Sequence, residues 1–370
     1  MTTLHKKILL TVLSLITVGV IAYKTNLTKS EDVVPAPPIN PPIQEVIPEK
    51  PIPTYESVIA DISEEKLKKD LYYLASDQLE GRMSGKKGNV EAAKFVKEEF
   101  EKAGLNTEYQ RFNIARRNPG PNNETGDDFT QNVIGWIDGT EITDEIVVIG
   151  AHMDHIGYGP SMSRSRKIKV HPGADDNASG TVALIEMAKA FAILKPKRTT
   201  VFIAFSAEEM GLIGSRYYCD NPLFPKNNPS IKKHIFMLNM DMIGYLRDGS
   251  HEVSWSEAES SVDIAGIINE LSNKYSFAKR ITSRGSGGSD HACFYNKRVP
   301  IAFLHTGLHA HYHTPEDTPD KINYKGLTKI TKYGFELGWK VANSESKPRF
   351  NNTNFKEMPY DHDHGHIEFK

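Results

Sequence analysis

Five short clusters carry the residues that could do chemistry: AHMDH (Ala151 to His155), GADDNASG (Gly173 to Gly180), FSAEEMG (Phe205 to Gly211), NMDMIG (Asn239 to Gly244) and HYHTPEDT (His311 to Thr318). The first four lie beside apolar runs. Carboxylates and imidazoles are costly next to buried strand-like sequence unless something neutralises them, and a divalent metal pair held by oxygen and nitrogen ligands does so. The pattern predicts a metallohydrolase. Metal-assisted hydrolysis needs one carboxylate on a metal and another that accepts the proton of the attacking water, and neighbouring glutamates such as Glu208 and Glu209 can divide those roles. An acidic surface turn is the plainer reading of EEMG, but it directly follows the apolar TTVFIAF. Asp175, Asn177 and Ser179 could simply cap a helix. Two adjacent aspartates and an asparagine exceed what a cap requires.

Composition permits this chemistry without demanding it. A chain of 370 residues with 39% hydrophobic and 25% charged residues can bury a full core. Its net charge of -2 gives no electrostatic case for nucleic acid. Cys219 and Cys293 are the only cysteines, so no disulfide framework staples the fold; whether the two pair is open at this point.

The elements that must position the clusters alternate. Glu145 to Ala151, Thr199 to Phe205, Lys233 to Met240 and Val299 to Leu304 are short, largely apolar runs, as strands buried on both faces should be. Helical patterns run over Ser63 to Ser76, Asn89 to Ala103, Gly180 to Leu194, Val262 to Tyr275 and Gly326 to Ala342. The alternation predicts a single α/β domain over residues 55 to 345, with a central, largely parallel mixed sheet covered by helices on both faces. His152, Glu208-Glu209 and Asp241 each follow a predicted strand, and ligands of open α/β sheets bind outside the carboxyl ends of strands.

Before the domain, His5-Lys6-Lys7 precedes the uncharged stretch Ile8 to Ala22, so residues 1 to 24 read as a signal peptide or, if uncleaved, a membrane anchor. A Pro-rich linker follows to residue 54, and residues 346 to 370 form a tail containing DHDHGH. The protein is expected to be exported, secreted or periplasmic.

The ordered set AHMDH, GADDNASG, SAEEMGLIGS, NMDMIG, GGSDH and YHTPEDT, with EGRMSGKKGN before it, resembles the di-zinc exopeptidases that include secreted bacterial leucyl-type aminopeptidases. Glutamate carboxypeptidase II, the glutaminyl cyclases and the transferrin receptor are more distant members. The resemblance implies a co-catalytic pair of Zn2+ ions. Asp176 would bridge them, His152 and Asp241 completing one site and Glu209 and His313 the other. It implies Glu208 as general base, Asp154 as the carboxylate that orients His152, Asp290 as another supporting group, and Tyr312 as either an oxyanion-stabilising phenol or a packing residue. His155, His171, His291, His305, His309 and His311 would be rim or supporting residues. The implied substrates are peptides with a free amino terminus. Cyclase and carboxypeptidase chemistry on the same scaffold are the enzymatic alternatives, and a non-catalytic binding protein is the third. Basic residues in the loop Tyr158 to Val170, among them Arg164, Lys167 and Lys169, could favour acidic substrates or simply be solvated.

Overall fold

A computed structural model of the chain describes residues 52–114, 128–159, 161–165, 167–247, 252–256, 260–282, 288–353, 355–358 and 360. The expected signal or anchor (1 to 24), most of the Pro-rich linker and the DHDHGH stretch lie outside the described residues.

Among the described residues the core is an eight-stranded mixed sheet. Its strands are β1 (Asn106–Asn113), β2 (Phe129–Ile137), β3 (Ile142–His152), β4 (Arg198–Phe205), β5 (His234–Met240), β6 (Glu252–Ser256), β7 (Ala278–Thr282) and β8 (Ile301–His305), in the order β1-β2-β4-β3-β5-β8-β6-β7. The four central strands β4, β3, β5 and β8 are mutually parallel; β1 and β2 extend one side antiparallel, and β6 pairs antiparallel with β8 and parallel with β7. The chain leaves β3 to form β4 on one side and then returns to form β5 on the other. The carboxyl end of β3 is therefore a topological switch point, where open α/β sheets form a ligand crevice.

Alternation along β3 divides the core in two. Val147 and Ile149 face α4 (Gly180–Leu194) and α8 (Tyr324–Ala342), meeting Phe191, Phe335 and Leu337. Ile146 and Val148 face α5 (Ile213–Asp220) and α7 (His291–Asn296), meeting Tyr218 and Phe294. Helix α4 is apolar on nearly all sides and correspondingly buried between the sheet and α8. Phe191 packs edge-on against Phe202, Phe335 and Trp339, with ring centroids 5.2 to 5.4 Å apart.

Helices α1 (Tyr55–Asp61), α2 (Glu64–Leu74) and α3 (Lys87–Lys102) open the described chain, and α6 (Val262–Tyr275) packs against α8. Thr54 caps α1 in a reciprocal box with Ser57. Cys219 of α5 and Cys293 of α7 form a disulfide, so both cysteines are used within the core.

Candidate metal centre

Each cluster lies where the parallel strands end. His152 is the last residue of β3, Glu208 and Glu209 follow β4 after Ser206 and Ala207, and Asp241 follows β5 directly. His313 arrives on the loop after β8. Asp175 and Asp176 lie in a wide turn, Ala174–Ser179, that leads into α4. Gly173 starts that turn at φ 57°, and a Cβ there would meet the Asp176 carbonyl at 2.2 Å and the His155 ring at 2.6 Å, so only glycine fits.

Two buried groups of ligand-type side chains result: His155, Asp176, Glu209 and His313 in one, and His152, Glu208 and Asp241 in the other. Asp176 joins them. Its Oδ1 is 3.4 Å from His152 Nε2, and its Oδ2 is 3.1 Å from His313 Nε2. Asp241 Oδ1 lies 3.2 Å from His152 Nε2, and Glu209 Oε2 lies 3.1 Å from His313 Nε2.

The donor chemistry fits a cation. His152 donates its Nδ1–H to the Asp154 carbonyl (3.3 Å), and His313 donates its Nδ1–H to the Met162 carbonyl (3.2 Å). In the neutral ring each Nε2 then carries a lone pair aimed at carboxylate oxygens, which also offer only lone pairs. Such a face needs a proton or a metal ion. The electrostatics make the same demand: burial alone would lower both imidazoles, but Asp241 and Glu208 hold His152 well above its ordinary pKa, and Glu209 and Asp176 hold His313 at about 10. Burial and the Glu209 charge would raise Asp176, yet His155 and His313 bring it below the usual carboxylate value.

The supporting contacts differ from expectation in detail. Asp154 Oδ1 is 3.7 Å from His152 Nδ1, farther than the Asp154 carbonyl, while the same oxygen accepts the Glu208 backbone N–H at 3.2 Å. Ser84 Oγ donates to Asp154 Oδ2 at 3.1 Å. Asp154 thus ties the His152 and Glu208 loops together. Tyr312 is buried with its ring 3.9 Å from that of His313, and burial together with the Asp176 and Glu209 charges raises its phenol well above 10. Asp290 is buried, and burial and the Glu208 charge keep it far above the usual carboxylate pKa.

Among the remaining histidines, His155 stands apart. It donates Nδ1–H to Glu209 Oε1 at 2.7 Å and lies 3.6 Å from Asp176 Oδ2, inside the cluster rather than at its rim. The HxxH spacing in HMDH was the available signal. The others bond elsewhere: His171 to Ser163, His305 to the Asp241 carbonyl, and His309 Nε2 lies 3.1 Å from Asp175 Oδ2 while its ring stacks on Tyr245.

Two further residues hold the cluster: Arg82 in EGRMSGKKGN and Asp317 in HYHTPEDT, motifs that the sequence singled out without assigning either residue a role. The buried Arg82 donates to the Met153, Leu74, Pro172 and Gly173 carbonyls at 2.6 to 2.9 Å. It links the His152 loop to the Asp176 turn. Burial lowers its pKa to about 10, against the pull of Asp176 and Asp317, so it stays cationic beneath an acidic site. Asp317 accepts the backbone N–H groups of Asp175 and Asp176 at 3.0 to 3.1 Å.

A helix-covered α/β sheet with a buried acid and imidazole cluster at its switch point defines a class of protein built around a metal centre. The chain belongs to Peptidase family M28, whose model matches residues 132–337, more than half its length. It is 27% identical over 238 residues to aminopeptidase YwaD of Bacillus subtilis, a match covering 60% of this chain and 46% of that protein. The match spans about half the length of this relative and of a probable leucine aminopeptidase 1 of Trichophyton verrucosum. Its fold is similar to that of BSAP, a zinc aminopeptidase from Bacillus subtilis (TM-score 0.64, 19% identity, 80% of this chain and 98% of that one). It is also similar to the fold of a Bacteroides thetaiotaomicron glutaminyl cyclase bound to N-acetylhistamine (TM-score 0.61, 18% identity, 77% and 99%).

Proposed function

We propose that the protein is an exported zinc aminopeptidase that removes the first residue of peptides. The observation that carries this reading is the Asp176 carboxylate, whose two oxygens face His152 on one side and His313 on the other, each imidazole with its own second carboxylate. That arrangement suits two ions sharing one aspartate: His152, Asp176 and Asp241 would hold the first, and Asp176, Glu209 and His313 the second. When bound, zinc supplies Lewis acidity to the scissile carbonyl and lowers the pKa of water.

This chain's residues do the rest. Glu208, buried beside His152 and Asp241, would take a proton from the attacking water as its oxygen bonds to the carbonyl carbon. It then delivers that proton to the departing amide nitrogen as the C–N bond breaks, leaving the carboxylic acid and a free amine. Asp154 keeps Glu208 and His152 in register through the contacts given above. Tyr312, held protonated, can donate a hydrogen bond to the carbonyl oxygen as negative charge develops there. The acidic cluster attracts the substrate's ammonium, which favours cleavage at a free amino terminus.

The test is hydrolysis of aminoacyl-p-nitroanilides by the purified protein, with metal content measured on the same sample and an N-acetylated control for each substrate. Two zincs per chain with cleavage of free-amine substrates alone is expected. One zinc with no hydrolysis would transfer the reading to cyclase chemistry, and cleavage of acetylated substrates would point to an endo- or carboxypeptidase.

A further inference from the structure

Residues 162–164 clamp His313 from outside the cluster: the Met162 carbonyl accepts from His313 Nδ1 at 3.2 Å, and the Arg164 backbone N–H donates to the His313 carbonyl at 2.9 Å. These two bonds fix where Arg164 leaves the backbone. Its side chain is exposed, and its guanidinium carbon sits 4.7 Å from the centre of the Tyr312 ring. That ring in turn lies 3.9 Å from the imidazole of His313. A planar guanidinium resting on an aromatic face is held in place while its N–H edge stays open to solvent and ligand.

The charge around this arginine is unusual for its surroundings. Asp175, Asp176, Glu208, Glu209, Asp241 and Asp317 crowd the neighbouring centre, yet among the described residues no carboxylate lies within ion-pair distance of Arg164. Lys167 of the same loop is already paired with Glu316 at 3.1 Å. One side of the site is thus strongly anionic, and one ring away stands an oriented cation. A short peptide with free termini carries the opposite polarity: an ammonium at one end and a carboxylate at the other.

We infer that Arg164 is a specificity-determining residue that grips a substrate carboxylate on the leaving side of the scissile bond, so the enzyme favours peptides with a carboxylate close to that bond. The inference rests on the aminopeptidase reading. Tyr312 is the residue proposed to contact the scissile carbonyl, and the guanidinium over its ring at 4.7 Å stands one ring away from that bond, while the acidic cluster that would take the ammonium leaves the carboxylate end of a peptide to it. Two sources supply the same chemistry, the α-carboxylate of a dipeptide or tripeptide and an acidic side chain just after the cleaved bond. A bidentate, charge-assisted pair at such a position discriminates by about 10- to 100-fold against a neutral analogue.

The experiment compares kcat/KM for two matched pairs, a dipeptide acid with its amide and Leu-Asp-amide with Leu-Asn-amide, in wild type, Arg164→Ala and Arg164→Lys. The expected result is that the wild-type preference for the charged member of at least one pair falls tenfold or more in Arg164→Ala. The change should lie mainly in KM, zinc content should stay the same, and Arg164→Lys should recover part of the loss because a lysine makes no bidentate fork. The pair that responds identifies the source of the carboxylate. Ratios that do not change in Arg164→Ala, or a wild type with no preference in either pair, would overturn the inference. Should the wild type hydrolyse no free-amine substrate, the aminopeptidase reading has failed instead, and calorimetric binding of the same acid and amide pairs to the three proteins reads the Arg164 effect without turnover.

Discussion

Glu208 and Glu209 are neighbours in sequence with different surroundings. Glu209 is engaged by His155 through one oxygen and faces His313 with the other, whereas Glu208 groups with His152 and Asp241. The two should separate in function. Glu208→Gln is isosteric and removes only the capacity to take a proton, so zinc content should stay at the wild-type value while kcat falls at least a hundredfold. Loss of zinc from this variant, or retained turnover, would show that Glu208 is a ligand or a bystander. His155 belongs to the other half. Replacing it with Ala leaves Glu209 without its 2.7 Å donor, and zinc affinity at that half should drop by about 10- to 100-fold, read by competition with a chromogenic chelator. An unchanged affinity would mean His155 only fills space. At this scale the sequence was legible where a residue type had a chemical reason to sit beside an apolar run, as for His152, Asp176 and Asp241. It flagged the motifs that contain Arg82 and Asp317 but not their roles, because their partners are backbone groups up to 142 residues away that no local pattern reveals.

Among the elements, the central strands could be read because burial on both faces makes them nearly continuous apolar runs, α4 because its apolar run is too long for a strand, and α6 and α8 because their periodicity is unbroken. Strand β1 was missed: NTEYQRFN is a polar edge strand whose exposed positions hide the alternation. Helices α5 and α7 are too short for periodicity to speak. What joins the elements near the site is more specific than packing. Arg82 is buried with four carbonyl partners, so Arg82→Met should strip the His152 loop and the Asp176 turn of their common anchor and cost about 3 to 5 kcal/mol, seen as a lowered urea midpoint. An unaltered midpoint would refute that role. The start of β5 carries its own pH dependence. His234 donates Nδ1–H to the Ser230 carbonyl and accepts from the Tyr218 hydroxyl at 2.8 Å, a neutral arrangement, and burial lowers its pKa to about 4. The unfolded chain binds this proton at about 6.5 and the folded one only near 4, so between those values the unfolded state holds more protons. Stability should therefore fall as pH drops from about 6.5 to 4, by roughly 3 kcal/mol from this group. Urea titrations should show a shallower decline over that window in His234→Gln than in wild type, and parallel declines would assign the pH dependence elsewhere.

Over the whole molecule, the candidate metal centre gathers residues from position 152 to position 313 around the ends of the central strands, so ion binding there would be coupled to folding. The unfolded chain scatters these ligands, so an ion that binds the folded state stabilises it by about 4 kcal/mol when present at a thousand times its Kd. The acidic cluster adds to this, because without a cation its carboxylates repel one another in a buried setting, relieved in part by Arg82 and by the protons that His152 and His313 are driven to take up. Chelation should lower the Tm by roughly 5 to 10 °C at pH 7.5. The gap between zinc-loaded and chelated protein should narrow toward pH 5, since protons compete for the same nitrogen lone pairs. Asp176→Asn, which neutralises the carboxylate shared by both halves, should shrink the gap at pH 7.5 and also lower the Tm of the chelated protein, because the protonated His152 and His313 imidazoles lose the carboxylate charge they both face. Calorimetric scans of the two proteins with and without chelator measure all three quantities. A Tm indifferent to chelation, or an Asp176→Asn variant with the full wild-type gap, would separate the cluster from the folding of the chain and remove Asp176 from its shared position.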